Sequence, residues 1–281
     1  MNLKKLLSTY GLKWNPFDQT PVEGLVTSQE IDNFCWRTES LVMDGGFAMA
    51  TGGVGTGKST ALRLLFQRLA ALSEVQVAVI ERPQSGLADF YRELGDKFGL
   101  EFRVSNRYSC FKQLRELWKA HIESTLFRPV VLIDEAQETH ALVLNELRLL
   151  GSSKLDSRPV ITVVLCGDDR LPEKFKHPDL TPLGSRIRNR LVLGPRSRED
   201  LARILSESIS KAGNPNLFTK GLIHTIADHA IGNMRTMMNM ALQLLEEGMR
   251  RDLTQMDEKL FLELYSQPPT SSPTKPGRKQ P

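Results

Sequence analysis

Residues 52–59 read Gly52-Gly53-Val54-Gly55-Thr56-Gly57-Lys58-Ser59 and meet the pattern G-x-x-x-x-G-K-[ST] at every fixed position. A loop of this kind works only between a strand and a helix, and both are present. Phe47 to Ala50 is a short apolar run of buried-strand type, and Ser59 to about Leu72 reads as a helix. The glycines let the backbone turn its N–H groups inward on phosphate oxygens. The positive end of the following helix points at the same place. Gly53, Val54, Gly55, Thr56, Gly57, Lys58, Ser59 and Thr60 are therefore the expected cradle of a nucleoside triphosphate. Lys58 should reach the β- and γ-phosphates, and the Ser59 hydroxyl should ligate Mg²⁺.

Strands and helices alternate beyond the loop. Val75–Glu81, Pro129–Ile133 and Val160–Leu165 are strand-like; Leu87–Phe98, Phe111–Thr125 and Thr139–Leu150 are helix-like. Continuous Val/Ile/Leu runs alternating with helices predict an α/β fold, a parallel sheet sandwiched by helices. From about Gly194 only helical patterns appear, over 197–212, 219–230, 234–250 and 256–265, so a small all-α lid domain is expected to follow. The expected organisation is an N-terminal arm and entry helix (1–44), a nucleotide-binding domain (45–195), the lid (196–265) and a disordered basic tail (266–281).

Val130-Val131-Leu132-Ile133-Asp134-Glu135 delivers two carboxylates at a strand's end, 76 residues after Lys58. Ligands of parallel sheets sit at those ends. Asp134 is expected to hold Mg²⁺ and Glu135 to polarise the attacking water. Asp168, closing the next strand, either senses the γ-phosphate or caps a turn. Arg186, Arg188 and Arg190 either include an arginine donated to a neighbouring subunit or form a solvated basic helix face. Arg235 opens a helix where its charge opposes the dipole, so a phosphate partner is expected. Trp14, Asn15 and Phe17 bracket Pro16 in a stiff apolar corner, which is either a wall against the base or a packed arm.

The net charge is +4, and three of those charges come from Lys275, Arg278 and Lys279 in the tail. A nearly neutral body leaves any nucleic-acid reading to local patches. The informative one is 101–109, expected on a loop, where Arg103, Asn106, Arg107 and Ser109, with Lys112 beyond, supply phosphate donors and Tyr108 an amphipathic ring. Three dispersed cysteines, Cys35, Cys110 and Cys166, argue against disulfides or a zinc site, and no apolar run approaches membrane-span length. A soluble cytoplasmic protein is expected, with no signal peptide.

With these motifs placed, the chain resembles an AAA+ ATPase of the P-loop NTPase class. It is most similar to the group joining ExeA-like secretion ATPases with TnsC/TniB-like target-selection ATPases of bacterial transposons. Gly11-Leu12…Pro16-Phe17, Thr51-Gly52…Lys58-Ser59, Leu132-Ile133-Asp134-Glu135-Ala136-Gln137, Leu165-Cys166-Gly167, Leu183-Gly184-Ser185-Arg186-Ile187 and Gly232-Asn233-Met234-Arg235 carry the likeness. The resemblance implies ATP and Mg²⁺ as cofactors, Arg186 as arginine finger, Arg235 as sensor 2 and Asp168 as sensor 1, where the family more often has Gln, Asn or Thr. It also implies DNA-contacting segments at 82–85 and 103–109.

Secretion members continue into a membrane span and a cell-wall-binding domain. The basic tail that ends this chain favours the transposon branch, whose members form homo-oligomeric rings or filaments on double-stranded DNA and recruit a transposase. The expectation is an ATP-dependent, oligomerising, DNA-binding regulator of transposition with slow hydrolysis and no membrane association. The alternatives are a secretion-pathway ATPase and a nucleotide switch of negligible turnover.

Overall fold

The computed structural model describes residues 3–18, 20–103, 105–124, 127–152 and 159–265; the tail with Lys275, Arg278 and Lys279 lies outside them. Among the described residues the apolar runs pair as a five-stranded parallel sheet. Its strands are β1 (Gly46–Gly52), β2 (Val75–Ile80), β3 (Arg128–Ile133), β4 (Thr162–Gly167) and β5 (Ile187–Leu193), in the spatial order β2-β3-β4-β1-β5. The helices between and beyond them are α1 (Leu3–Tyr10), α2 (Gln29–Asp44), α3 (Lys58–Ala70), α4 (Leu87–Phe98), α5 (Arg107–Ser124) and α6 (Ala141–Gly151). Next come α7 (Arg170–Lys174), α8 (Thr181–Gly184), α9 (Arg198–Ala212), α10 (Lys220–His229), α11 (Met234–Arg250) and α12 (Glu258–Tyr265).

Among the described residues two compact units result, one within 21–196 and 232–235, the other within 3–20, 197–231 and 236–265. In the first, side chains alternate across the sheet and both faces are covered, which is why the strands read as unbroken apolar runs. Phe47, Met49, Val131, Ile133, Val163 and Leu165 face a core with Phe90, Leu94, Leu114, Trp118, Leu144 and Leu147 of α4, α5 and α6. Ala48, Ala50, Leu132, Val164 and Cys166 face the other way, against Ile31, Phe34, Leu65 and Leu69 of α2 and α3. Each fully buried side chain of this size contributes about 1.5–3 kcal/mol.

Three elements differ from their sequence patterns, each for a local reason. Where a basic helix face is one expectation, β5 runs from Ile187, so Arg188 and Arg190 stand on an edge strand and not on a helix face. Asn189 obscures the pattern because it points inward; its amide donates to the Phe34 carbonyl at 3.0 Å and to Thr38 Oγ1 at 2.8 Å, so its burial is satisfied. The helix expected from Phe111 starts at Arg107, because Asn106 Oδ1 accepts the Ser109 N–H at 3.0 Å and caps it. The helix expected from Thr139 starts at Ala141, after a tight turn over Ala136–Glu138 that the left-handed backbone of Glu135 introduces.

The helical unit is built from α1, α9, α10, α12 and most of α11. Ser197 and Thr219 cap α9 and α10 by accepting the N–H groups of Asp200 and Leu222. The N-terminal segment belongs here: the Lys13 N–H donates to the Ala212 carbonyl at 2.8 Å, and Phe17 stacks on Phe218 with centroids 5.3 Å apart.

Trp118 is the largest fully buried side chain of the α/β unit and meets Phe98 edge-on, with centroids 5.3 Å apart. Trp118→Ala should cost about 3–5 kcal/mol, read from the denaturant midpoint. The indole N–H has no hydrogen-bond partner, so Trp118→Phe, which also removes that group, should cost clearly less.

Candidate nucleotide and hydrolysis site

The phosphate loop joins β1 to α3. Gly57 occupies the N-cap of α3 and offers no side chain, so the first N–H groups of the helix stay open to an anion. Lys58 is 8% exposed, and its ammonium donates to the carbonyls of Gly52 at 2.8 Å and Gly53 at 2.9 Å. Thr56 Oγ1 donates to the Gly53 carbonyl at 2.9 Å and tightens the turn. Ser59 and Val54 are exposed, and Thr60 is half-buried.

A second segment of the same unit grips the loop from outside. Asn233 Nδ2 donates to the Val54 carbonyl at 2.9 Å, and the Met234 N–H donates to the Gly55 carbonyl at 2.9 Å. Asn233 comes so close that a Cβ on residue 55 would lie 2.1 Å from its Oδ1, which restricts that position to glycine. Arg235, one residue on, is exposed. The sequence singled out Arg235 and left Asn233 without a role.

At the end of β3, Asp134 Oδ1 accepts the Glu135 N–H at 2.9 Å. Cys166 on β4 lies against Asp134; burial, then that carboxylate, pushes its thiol well above the usual range. Ser59 and Asp134 offer hard oxygen donors of the kind Mg²⁺ takes, beside a buried cation fixed at the loop, so the residues fit a nucleotide-bound Mg²⁺. Glu135 is exposed with φ +48°, and Gln137 Nε2 donates to its Oε2.

Asp168 turns its carboxylate to Arg170, accepting the backbone N–H at 2.9 Å and Nε at 2.8 Å, as a turn-forming aspartate just before α7. Arg186 precedes β5 and donates to Ser152 Oγ at 2.9 Å. With Arg188, Phe47, Ser152 and Ser185 it lines a pocket of about 220 Å³. Arg190 is tied to the Gly184 carbonyl at 2.8 Å. Phe47 pairs with Ile187 and Gly52 with Leu193, so Arg186 sits at the opposite end of the sheet from the phosphate loop. Six residues of strand at ~3.3 Å each separate them by about 20 Å.

The expected nucleic-acid segment divides in two. Arg103, Tyr108 and Lys112 are exposed, the last two one turn apart on α5, and Lys112 stands 3.7 Å from Glu116. Arg107, its side chain still 56% exposed, forms a two-pronged pair with Glu146, a carboxylate whose side chain is 2% exposed and which also accepts the Tyr91 hydroxyl. Burial, then Glu146, raises the Tyr91 hydroxyl far above its ordinary range. Asn106 is committed to its cap, and Ser109 Oγ accepts from Gln113 at 2.7 Å. In the helical unit, Asn15 Oδ1 accepts the Phe17 N–H at 3.0 Å, both residues are buried, and the indole N–H of Trp14 has no partner.

Among the described residues no helix is long and apolar enough to cross a membrane. Residues 42–175 match the AAA domain family. Over 186 residues the chain is 34% identical to General secretion pathway protein A of Aeromonas hydrophila, covering 65% of this chain and 33% of that protein. It therefore spans about a third of that relative's length. The Aeropyrum pernix ORC2 protein in ADPNP–ADP complexes superposes with a TM-score of 0.72 at 17% identity, over 90% of this chain and 71% of that one. The Aeropyrum pernix ORC1 protein in complex with DNA superposes with a TM-score of 0.64 at 16% identity, over 89% and 68%. Residues 42–175 thus resemble the AAA domain family, the likeness reaches part of the secretion-pathway protein, and the structure has the P-loop AAA+ fold.

Proposed function

We propose that copies of this chain assemble around ATP and Mg²⁺, and that the assembly acts on double-stranded DNA as a regulator of transposition, recruiting a transposase while slow hydrolysis limits its lifetime. The observation that carries the reading is the position of Arg186. It lies about 20 Å along the sheet from its own phosphate loop, so any γ-phosphate it serves belongs to a neighbouring copy. Each site is then completed by its neighbour: Lys58 and the loop N–H groups hold the phosphates, Ser59 and Asp134 hold the metal, and Glu135 orients water. Arg186 of the adjacent copy stabilises charge on the transferring phosphoryl. Arg235 stands on the segment that grips the loop and adds a second cation toward the phosphates. Asp168 serves the site through its turn rather than its carboxylate, which Arg170 occupies.

For DNA the support is the exposed group of Arg103, Tyr108 and Lys112, which can meet a phosphate backbone and stack at the expense of no more than the exposed Lys112–Glu116 pair. Asn106 and Ser109 contribute backbone geometry to this patch, and the Arg107–Glu146 pair anchors the start of α5 beside it. A second reading, work on protein substrates of an envelope or secretion system, is favoured by the 34% identity with General secretion pathway protein A. Sizing the protein with ATP, ADP and no nucleotide, each with and without duplex DNA, separates the two. Growth that needs both ATP and DNA supports transposition; ATP-driven assembly indifferent to DNA supports the protein-directed reading.

Arg186→Ala should keep its affinity for ATP and lose about 10³-fold in assembled turnover. Mixing it with Lys58→Ala, itself inactive, should restore part of the rate, because the Lys58 variant still lends its arginine to an intact pocket. Two inactive variants that stay inactive together would show that Arg186 does not act between copies. Arg103→Ala with Lys112→Ala should weaken DNA binding and reduce the slope of log K against log salt by about two. Arg107→Ala should instead lower the melting temperature, at a cost of about 2–3 kcal/mol, because it strips a buried carboxylate of its cation.

A further inference from the structure

We propose that Gln137 is a positioning residue for hydrolysis: its side-chain amide joins the Glu135 carboxylate to the turn that closes β4 and sets the carboxylate's direction according to that turn's position. Gln137 is 8% exposed and uses both ends of its amide. Nε2 donates to Glu135 Oε2, and Oε1 accepts the Asp168 N–H at 3.2 Å. Its donor therefore touches the group that orients water, and its acceptor touches the strand end next to the phosphate loop.

The surroundings fix Gln137 at both strand ends. Gly167 admits it: a Cβ there would lie 2.5 Å from Gln137 Oε1. Lys174 of α7 donates to the backbone carbonyl of Gln137 at 2.8 Å and to that of Thr139, holding the Walker B turn down. Arg170 of the same helix bridges Asp168 on the β4 side and Glu138 on the β3 side. Two neighbouring strand ends thus move as one body, and Gln137 is the only one of these links whose side chain touches Glu135. An exposed glutamate on a left-handed backbone has many rotamers open to it; a buried amide donor selects one.

This proposal rests on Glu135 as the group that orients water, and the test separates the two ideas. ATP turnover, affinity for a fluorescent ATP analogue and melting temperature are measured for wild type, Glu135→Gln, Gln137→Leu, Gln137→Glu and Gly167→Ala. Gln137→Glu is the decisive variant, since it keeps an acceptor for the Asp168 N–H and loses the donor to Glu135. The expected result is a kcat at least ten-fold below wild type for both Gln137→Leu and Gln137→Glu, with KM and nucleotide affinity within two-fold. Gly167→Ala should lower kcat similarly, and adding it to Gln137→Leu should cost little more, because both break the same link. If Gln137→Glu turns over like wild type, Gln137 only ties the β4 turn in place and the proposal is overturned. Loss of affinity and melting temperature in step with kcat in both Gln137 variants overturns it as well. A wild type no faster than Glu135→Gln would overturn the role of Glu135 and this proposal with it.

Discussion

Everything at this site depends on the parallel pairing of three central strands. Thr51 stands beside Gly167, and Ile133 beside Leu165, so the carboxyl ends of β1, β4 and β3 finish on one edge. The phosphate loop leaves that edge from β1, and Asp134 and Glu135 leave it from β3, with β4 between them. Two strand spacings of ~4.8 Å set loop and carboxylates roughly 10 Å apart, the room a phosphoryl group and its metal need. Antiparallel pairing of β1 or β3 would send one of these groups to the other side of the molecule.

Within that frame charge is arranged ahead of the ligand. The Lys58 ammonium is buried but satisfied by two loop carbonyls, so its desolvation is offset and its position is set before phosphate arrives. The helix end beside it keeps its N–H groups unused by any side-chain cap. Cations of α7 brace the turn after β3, and burial lowers the proton affinity of one of them, Lys174. Where a cation has no phosphate to meet, as at Arg107, it neutralises a buried carboxylate and holds α5 to α6.

The loop, the strand alternation and the Walker B carboxylates were legible because each is a contiguous pattern with its own chemistry. What escaped the sequence depends on contacts between distant residues. The pairing of Arg107 needs Glu146, 39 positions away, and on sequence alone an arginine between Asn106 and Tyr108 looks like an uncommitted phosphate donor. Asn189 hid β5 because a buried asparagine is acceptable only when Phe34 and Thr38, more than 150 positions earlier, receive its amide. Gln137 and Asn233 appeared only as letters within motifs, since nothing local tells that one meets Glu135 and the β4 turn and the other the phosphate loop. Asp168 shows the converse case, a carboxylate placed correctly at a strand end but already occupied by a neighbour two residues away.

The left-handed conformation of Glu135 sets the interests of the polymer against those of the reaction. A glycine or an asparagine would sit at φ +48° with less strain, by an amount on the order of 1 kcal/mol. Holding a glutamate there is worthwhile only while its carboxylate is used. A related chain that held a nucleotide without hydrolysing it would lose nothing by relaxing this position to a residue that takes a left-handed backbone at less cost.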